Sequence, residues 1–203
     1  MYQGQSLRQA LRAATQVEHK ALEAQPLMRR LLSPELTLAE YGQIVQAQRA
    51  FYRFQEPLLW PHERELRDCL PEVGYHYHSR LPSLERDCRQ LALAEDGVES
   101  EPVSAFRPKS SEEALGVLYV LEGASQGGRV IARRLSQVLA LDSDNGAGFF
   151  SLYAKQDSWK LLCRWLEMLP SEEPWEEALT GAKSTFTALK VHFDHWQRRL
   201  SGC

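Results

Sequence analysis

The stretch Gly116-Val-Leu-Tyr-Val-Leu-Glu-Gly123-Ala-Ser-Gln-Gly127-Gly128-Arg-Val-Ile-Ala-Arg-Arg-Leu135 decides how the rest of the chain is read. Its two ends are strongly helical in pattern. Just upstream, Ser110-Ser-Glu-Glu113 is a capping box, with Ser110 placed to accept from first-turn amides and Glu113 to reach back. The pattern predicts a helix from that box to about Leu141. Its middle nevertheless holds Gly123, Gly127 and Gly128, and each glycine costs about 1 kcal/mol against alanine inside a helix. Gly116, Val120, Gly123 and Gly127 recur at helical spacing and share one face. That face is nearly bare. Either another helix packs directly on its backbone, or a flat ligand lies there and the helix bends over it.

Working outward, the flanking segments also read as helices. Leu7, Leu11, Ala14 and Leu22 mark an amphipathic helix from about residue 5 to Gln25, stopped by Pro26. A short helical piece, Leu27 to Leu32, ends at Ser33-Pro34. A second capping box, Thr37-Leu-Ala-Glu40, opens a long helix toward Leu59, bracketed by Pro57 and Pro61. Short helices are expected over Glu63 to Cys69 and from Pro82 to about Glu95, and a loop over Asp96 to Lys109. Asp142 to Gly148 is rich in turn residues. Asp157 is placed to cap a helix from Ser158 to Leu169, and Pro174 opens a last one to Leu200. No strand shows period-two alternation. The expected class is all-α, about seven to nine helices, with residues 1–203 as a single domain.

Composition narrows the function. At 43% hydrophobic and 25% charged residues the chain resembles a soluble globular protein, and its net charge of −3 gives no basic excess for nucleic acid. Four widely spaced cysteines (69, 88, 163 and 203) form no CxxC pair, which fits a reduced, cytoplasmic protein. No apolar run of about 18 residues signals a membrane span.

Several residues could carry chemistry. His19 lies at the margin of the first helix's apolar stripe, with Glu23 one turn on, Thr15 one turn back and Arg12 beyond it. Glu23 could fix one ring nitrogen and leave the other for a metal; equally, the two form an ordinary surface helix pair. Lys160 and Arg164 put two cations on one helix face without an acid between them. That suits an anionic ligand such as a carboxylate, or simply a solvated face. His76 and His78 sit in a Tyr-rich connector and His192 and His195 on the last helix; each pair is expected at the surface, lacking the further ligands of a zinc or iron site. Paired Glu-x-x-His sequences, a nucleophile elbow and a phosphate loop are absent.

Taken together, these segments resemble the heme oxygenases, most closely the bacterial biliverdin-producing type associated with bacteriophytochromes. Leu11-Arg-Ala-Ala-Thr-Gln-Val-Glu-His19-Lys-Ala-Leu-Glu23 is similar to the family's proximal helix, and Tyr119-Val-Leu-Glu-Gly-Ala-Ser-Gln-Gly-Gly128 to its distal helix. The resemblance implies that His19 is the axial heme ligand, oriented by Glu23, with Arg12 at a propionate and Met28 as a proximal contact. It implies that Gly123 and Gly127 bring bare backbone onto the heme face, with Tyr52 in a distal water network. Lys160 and Arg164 match the propionate-binding pair. Phe186, in Ala182-Lys-Ser-Thr-Phe186, and Phe193 match aromatics that wall the pocket. The implied reaction uses heme as substrate and cofactor, O2, and an external electron donor such as a reductase or ferredoxin-like protein. Its products are biliverdin, carbon monoxide and ferrous iron, with a bacteriophytochrome as candidate acceptor of the biliverdin.

One position departs from the family. Many members have Asp after the first distal glycine, where it holds a water; here that residue is Ala124. Glu122, Ser125, Gln126 or Tyr52 would have to organise water instead. A heme-binding protein without turnover on the same fold, and a helical interaction module without heme, are the alternatives.

Overall fold

The computed structural model describes residues 5–69, 74–93, 104–155, 157–169 and 175–201. Among these there are eleven α-helices and two 3-10 turns and no β-strand, as expected from the missing alternation.

The N-terminal segment bends where a single helix was expected. α1 (Leu7–Ala14) opens on a complete capping box made by Ser6 and Gln9. α2 (Gln16–Glu23) follows after Thr15. The Thr15 hydroxyl donates to Leu11 O at 2.8 Å, a back-bond to the preceding turn of the kind that bends helices. The ladder survives the bend, since His19 N still donates to Thr15 O at 2.9 Å. Pro26 is the first residue of α3 (Pro26–Arg30), so it opens a helix as well as closing one.

α4 (Leu38–Gln55) starts at the Thr37–Glu40 box with both reciprocal bonds in place. It runs into 3-10 turns at Glu56–Leu58 and Trp60–His62, where Pro57 and Pro61 withhold amide donors. α5 (Glu63–Cys69) is where it was expected. α6 (Leu81–Gln90) ends before Ala92, which takes φ 51°, short of the expected Glu95. Residues 94–103, most of the expected loop, lie outside the described residues.

The glycine-rich segment forms α7 (Ser111–Gly123) and α8 (Ser125–Leu139), meeting at Ala124. Ala124 keeps right-handed dihedrals, and bonds from Ala124 N to Val120 O and from Gly128 N to Ala124 O cross it, so the joint is a bend in one track. α9 (Gly148–Lys155) was not expected; its first amides, Gly148 N and Phe149 N, both donate at 2.8 Å to the carboxylate of Asp87 on α6. α10 (Ser158–Met168) begins without a side-chain cap, because Asp157 pairs with Lys160 at 2.8 Å. α11 (Trp175–Ser201) is the longest; Pro170 and Pro174 lie outside the described residues. None of the described helices is long and apolar enough to cross a membrane.

α11 is the spine, touching α1, α2, α3, α4 and α7. Against α7 it packs backbone to backbone. A Cβ at Gly116 would collide with the carbonyl of Ala178, and one at Gly181 with the carbonyl of Glu113. The bare face therefore divides: at Gly116 a helix covers it, as close packing requires.

The surface expectation for His192 is corrected. Its ring is 3% exposed, enclosed by Phe51, Phe193 and Trp196. Nε2 lies 2.8 Å from Ala47 O, and because a carbonyl only accepts, Nε2 carries the proton. The aromatic cage, not a solvated face, surrounds this turn of α11. His76 and His78 are exposed.

Replacing Gly116 or Gly181 with Ala should destabilise the fold by roughly 3 kcal/mol or more, because two backbones cannot yield as side chains do; denaturant unfolding measures it. Burial lowers the pKa of His192 from its ordinary 6.5. Below that value the unfolded chain takes up a proton that the native ring refuses, so stability is full above it and declines as pH falls, by at most about 1.4 kcal/mol per pH unit. His192→Gln keeps a donor to Ala47 O without titrating, and should flatten that decline in unfolding curves taken between pH 7.5 and 5.5.

Candidate functional site

His19 stands on α2 one turn after the Thr15 bend. Its side chain is 56% exposed, and Nδ1 lies 3.5 Å from Glu23 Oε2, a loose charge contact longer than an orienting hydrogen bond. Its ring meets that of Phe186, from α11, edge-on at 5.8 Å and 74°. Phe186 itself is buried. The bend therefore leaves an imidazole at the surface with an aromatic wall on one side and open space on another.

The Gly123 turn is bordered by α10. A Cβ on Gly123 would meet only the Trp159 ring, at 3.6 Å, which is ordinary contact; on Gly127 it would meet nothing within 4 Å. Neither glycine is demanded by protein packing, in contrast to Gly116 and Gly181. Tyr119, one turn before Gly123, stacks obliquely on Trp159 with centroids 5.5 Å apart. Its phenol interacts with the Thr15 hydroxyl and with the field of Arg12, and burial raises its pKa. Thr15, Tyr119 and Trp159 thus link the turn carrying His19 to the turn carrying Gly123.

The expected cations are all exposed. Arg12 projects from α1, Lys160 and Arg164 from α10. Among the described residues Lys160 pairs with Asp157, both side chains being about two-thirds or more exposed (74% and 67%). Surface pairs of this kind are weak and screened by water, so Lys160 can exchange Asp157 for another carboxylate at little cost.

Other expected residues sit deeper. Tyr52 is buried on α4, edge-on to Phe51 and Phe149. Phe193 is enclosed in the core against His192, and Met28 on α3 packs half-buried against the core. Among the described residues the ring contact to His19 is made by Phe186.

Glu122 is not available to organise water at the bend. It is fully buried, and its carboxylate accepts from Arg80 Nη2 at 2.7 Å, Ser158 Oγ at 2.7 Å and Tyr75 OH at 3.2 Å. Ala124 is exposed and offers no polar group, and the Ser125 side chain lies outside the described residues. Sequence reasoning missed Trp159, Tyr119 and the whole Arg80 network. The one legible signal was the acid Glu122 directly after the apolar run Val-Leu-Tyr-Val-Leu.

Solved structures share this all-helical fold. Heme oxygenase from Leptospira interrogans aligns with TM-score 0.76 at 20% identity, over 94% of this chain and 99% of that one. Heme oxygenase-1 from the cyanobacterium Synechocystis sp. PCC6803, solved in complex with heme, aligns with TM-score 0.73 at 16% identity, over 97% and 95%. A heme oxygenase of Xanthomonas campestris pv. campestris (strain 8004) is 41% identical over 83 residues. That match covers 38% of this chain and 46% of the relative, so it spans about half of the relative's length. The family model for heme oxygenase matches residues 5–195, and the chain belongs to the heme oxygenase family.

Gly127→Ala gives a decisive contrast. With nothing near its Cβ, the variant should be as stable as the parent or more so, by up to about 1 kcal/mol. If a flat ligand lies on that backbone, hemin binding should weaken by roughly tenfold or more. Unfolding curves and a hemin titration on the same variant measure both.

Proposed function

We propose that the chain is a heme oxygenase that opens heme to biliverdin and releases carbon monoxide and ferrous iron. The carrying observation is the pairing of an exposed imidazole, His19, with glycines at 123 and 127 that protein packing does not require. Heme fits these residues: an imidazole with one nitrogen uncommitted, a backbone with no side chain in the way, and exposed cations for two carboxylates. The heme complex of the cyanobacterial relative supports the same ligand.

In this function heme, when bound, supplies the iron at which O2 is reduced, with electrons from an external reductase or ferredoxin-like donor. The chain's own residues bind and orient. His19 would ligate the iron, with Glu23 one turn on as the partner that could close on its Nδ1. Gly123 and Gly127 would present bare backbone to the bound heme and leave space for O2. Arg12, Lys160 and Arg164 would hold the propionates and so orient the heme. Phe186 walls the proximal side, Met28 and Phe193 back it, and Tyr52 contributes to the distal water network. The protein works as a single cytoplasmic domain, and its product is of the kind a bacteriophytochrome takes up.

Ala124 favours a second function, heme binding without ring opening, because the bend presents no acid to hold water. One experiment separates the two. Hemin is added to the protein, then a reductant in air, and the absorption spectrum is followed. Loss of the Soret band with growth of the biliverdin band supports turnover, whereas a persistent heme spectrum, converted to turnover by Ala124→Asp, supports storage. His19→Ala should remove the histidine-ligated spectrum altogether; an unchanged spectrum rules out His19 as the ligand.

A further inference from the structure

Beside the bend lies a buried charge that the proposed chemistry does not use. The side chains of Arg80 and Glu122 are both 0% exposed and meet at 2.7 Å. Arg80 also donates through Nη1 to His78 O at 2.7 Å, and its amide donates to Glu56 Oε1 at 2.6 Å. Glu56 in turn accepts from Tyr77 OH and Ser79 Oγ. Glu122 is thereby anchored through the connector 75–80 to the 3-10 turn after α4.

A buried ion pair is seldom the cheapest way to stabilise a core; well-packed apolar residues do as well or better. What this one supplies is direction. Glu122 immediately precedes Gly123, and Ser158 immediately precedes Trp159. Two successive rungs therefore join α7 to α10: the hydrogen bond from Ser158 Oγ to Glu122 at 2.7 Å, and the seat of Trp159 beside Gly123. The track beyond them carries Gly127 and Gly128. A fixed point just before the bend is what such a track needs if its far side is to stand at one distance from its neighbours.

We propose that Glu122 is a positioning residue: held by Arg80, it fixes through Ser158 the start of α10 against the last turn of α7. It thereby sets the spacing between the bare Gly123–Gly127 backbone and the Lys160–Arg164 pair. The consequence for heme rests on the proposed function; the clamp itself does not. Ser158 is the place to test it, because its removal leaves the Arg80–Glu122 pair and the fold intact.

Amide hydrogen exchange is measured on the heme-free Ser158→Ala and Ser158→Thr proteins, with hemin affinity and biliverdin isomer ratio measured alongside. In Ser158→Ala, exchange across residues 119–128 and 158–164 should rise roughly tenfold or more, as loss of a hydrogen bond to a charged group implies. Hemin affinity should fall several-fold, and the isomer ratio should broaden. Ser158→Thr, which keeps the hydroxyl, should restore all three. Unchanged exchange in Ser158→Ala overturns the clamp. Faster exchange with unchanged hemin affinity and isomer ratio overturns the positioning role and leaves a structural bond. If the parent protein binds no hemin, the proposed function fails, and exchange alone decides the clamp.

Discussion

Contact of α7 with α11 at Gly116 and Gly181 sets the frame on which everything else is hung. With no side chain between the two backbones, their separation cannot be adjusted by a rotamer change. α11 is therefore placed rigidly, and with it Phe186, which meets His19. α7 is placed at the same time, and its last turn delivers Gly123 to Trp159. The helices that carry Phe186 and Gly123 are therefore locked to each other by one crossing.

Around that crossing, buried carboxylates hold connectors and the starts of helices. Glu56 collects the connector at Tyr77, Ser79 and Arg80. Asp87 caps α9 from a different helix. Its burial raises its pKa, while the two amides it accepts pull the other way. Glu122 joins Arg80, Tyr75 and Ser158. Backbone and side-chain groups buried in such segments must find partners, and a carboxylate with several acceptor positions satisfies more than one of them. Gln55 does the same with a neutral amide, exchanging two hydrogen bonds with Phe106.

The site differs in character from this frame. Its buried members, Thr15 and Phe186, are held by packing and by a back-bond, while His19, Glu23, Arg12, Lys160 and Arg164 keep much of their surface in water. The pairs they form, His19 with Glu23 and Lys160 with Asp157, are weak enough to be rearranged by a ligand. Polar groups held this loosely can change partners without unpacking the core.

Local sequence was enough for the helical class, the Thr37 capping box, the short helix at Glu63–Cys69 and the bend near Gly123, since each depends on residues within a few positions of one another. Spacing along one helix was also enough to pair His19 with Glu23. It could not separate Gly116 from Gly127, which look alike on a helical wheel, because only the path of α11 decides which of them is covered. Nor could it show α9, whose cap comes from Asp87, or the burial of His192, which depends on Phe51 from another helix. The Arg80–Glu122 pair spans 42 positions. Contacts at that range follow from how whole helices pack, and no periodicity in either partner's neighbourhood encodes them.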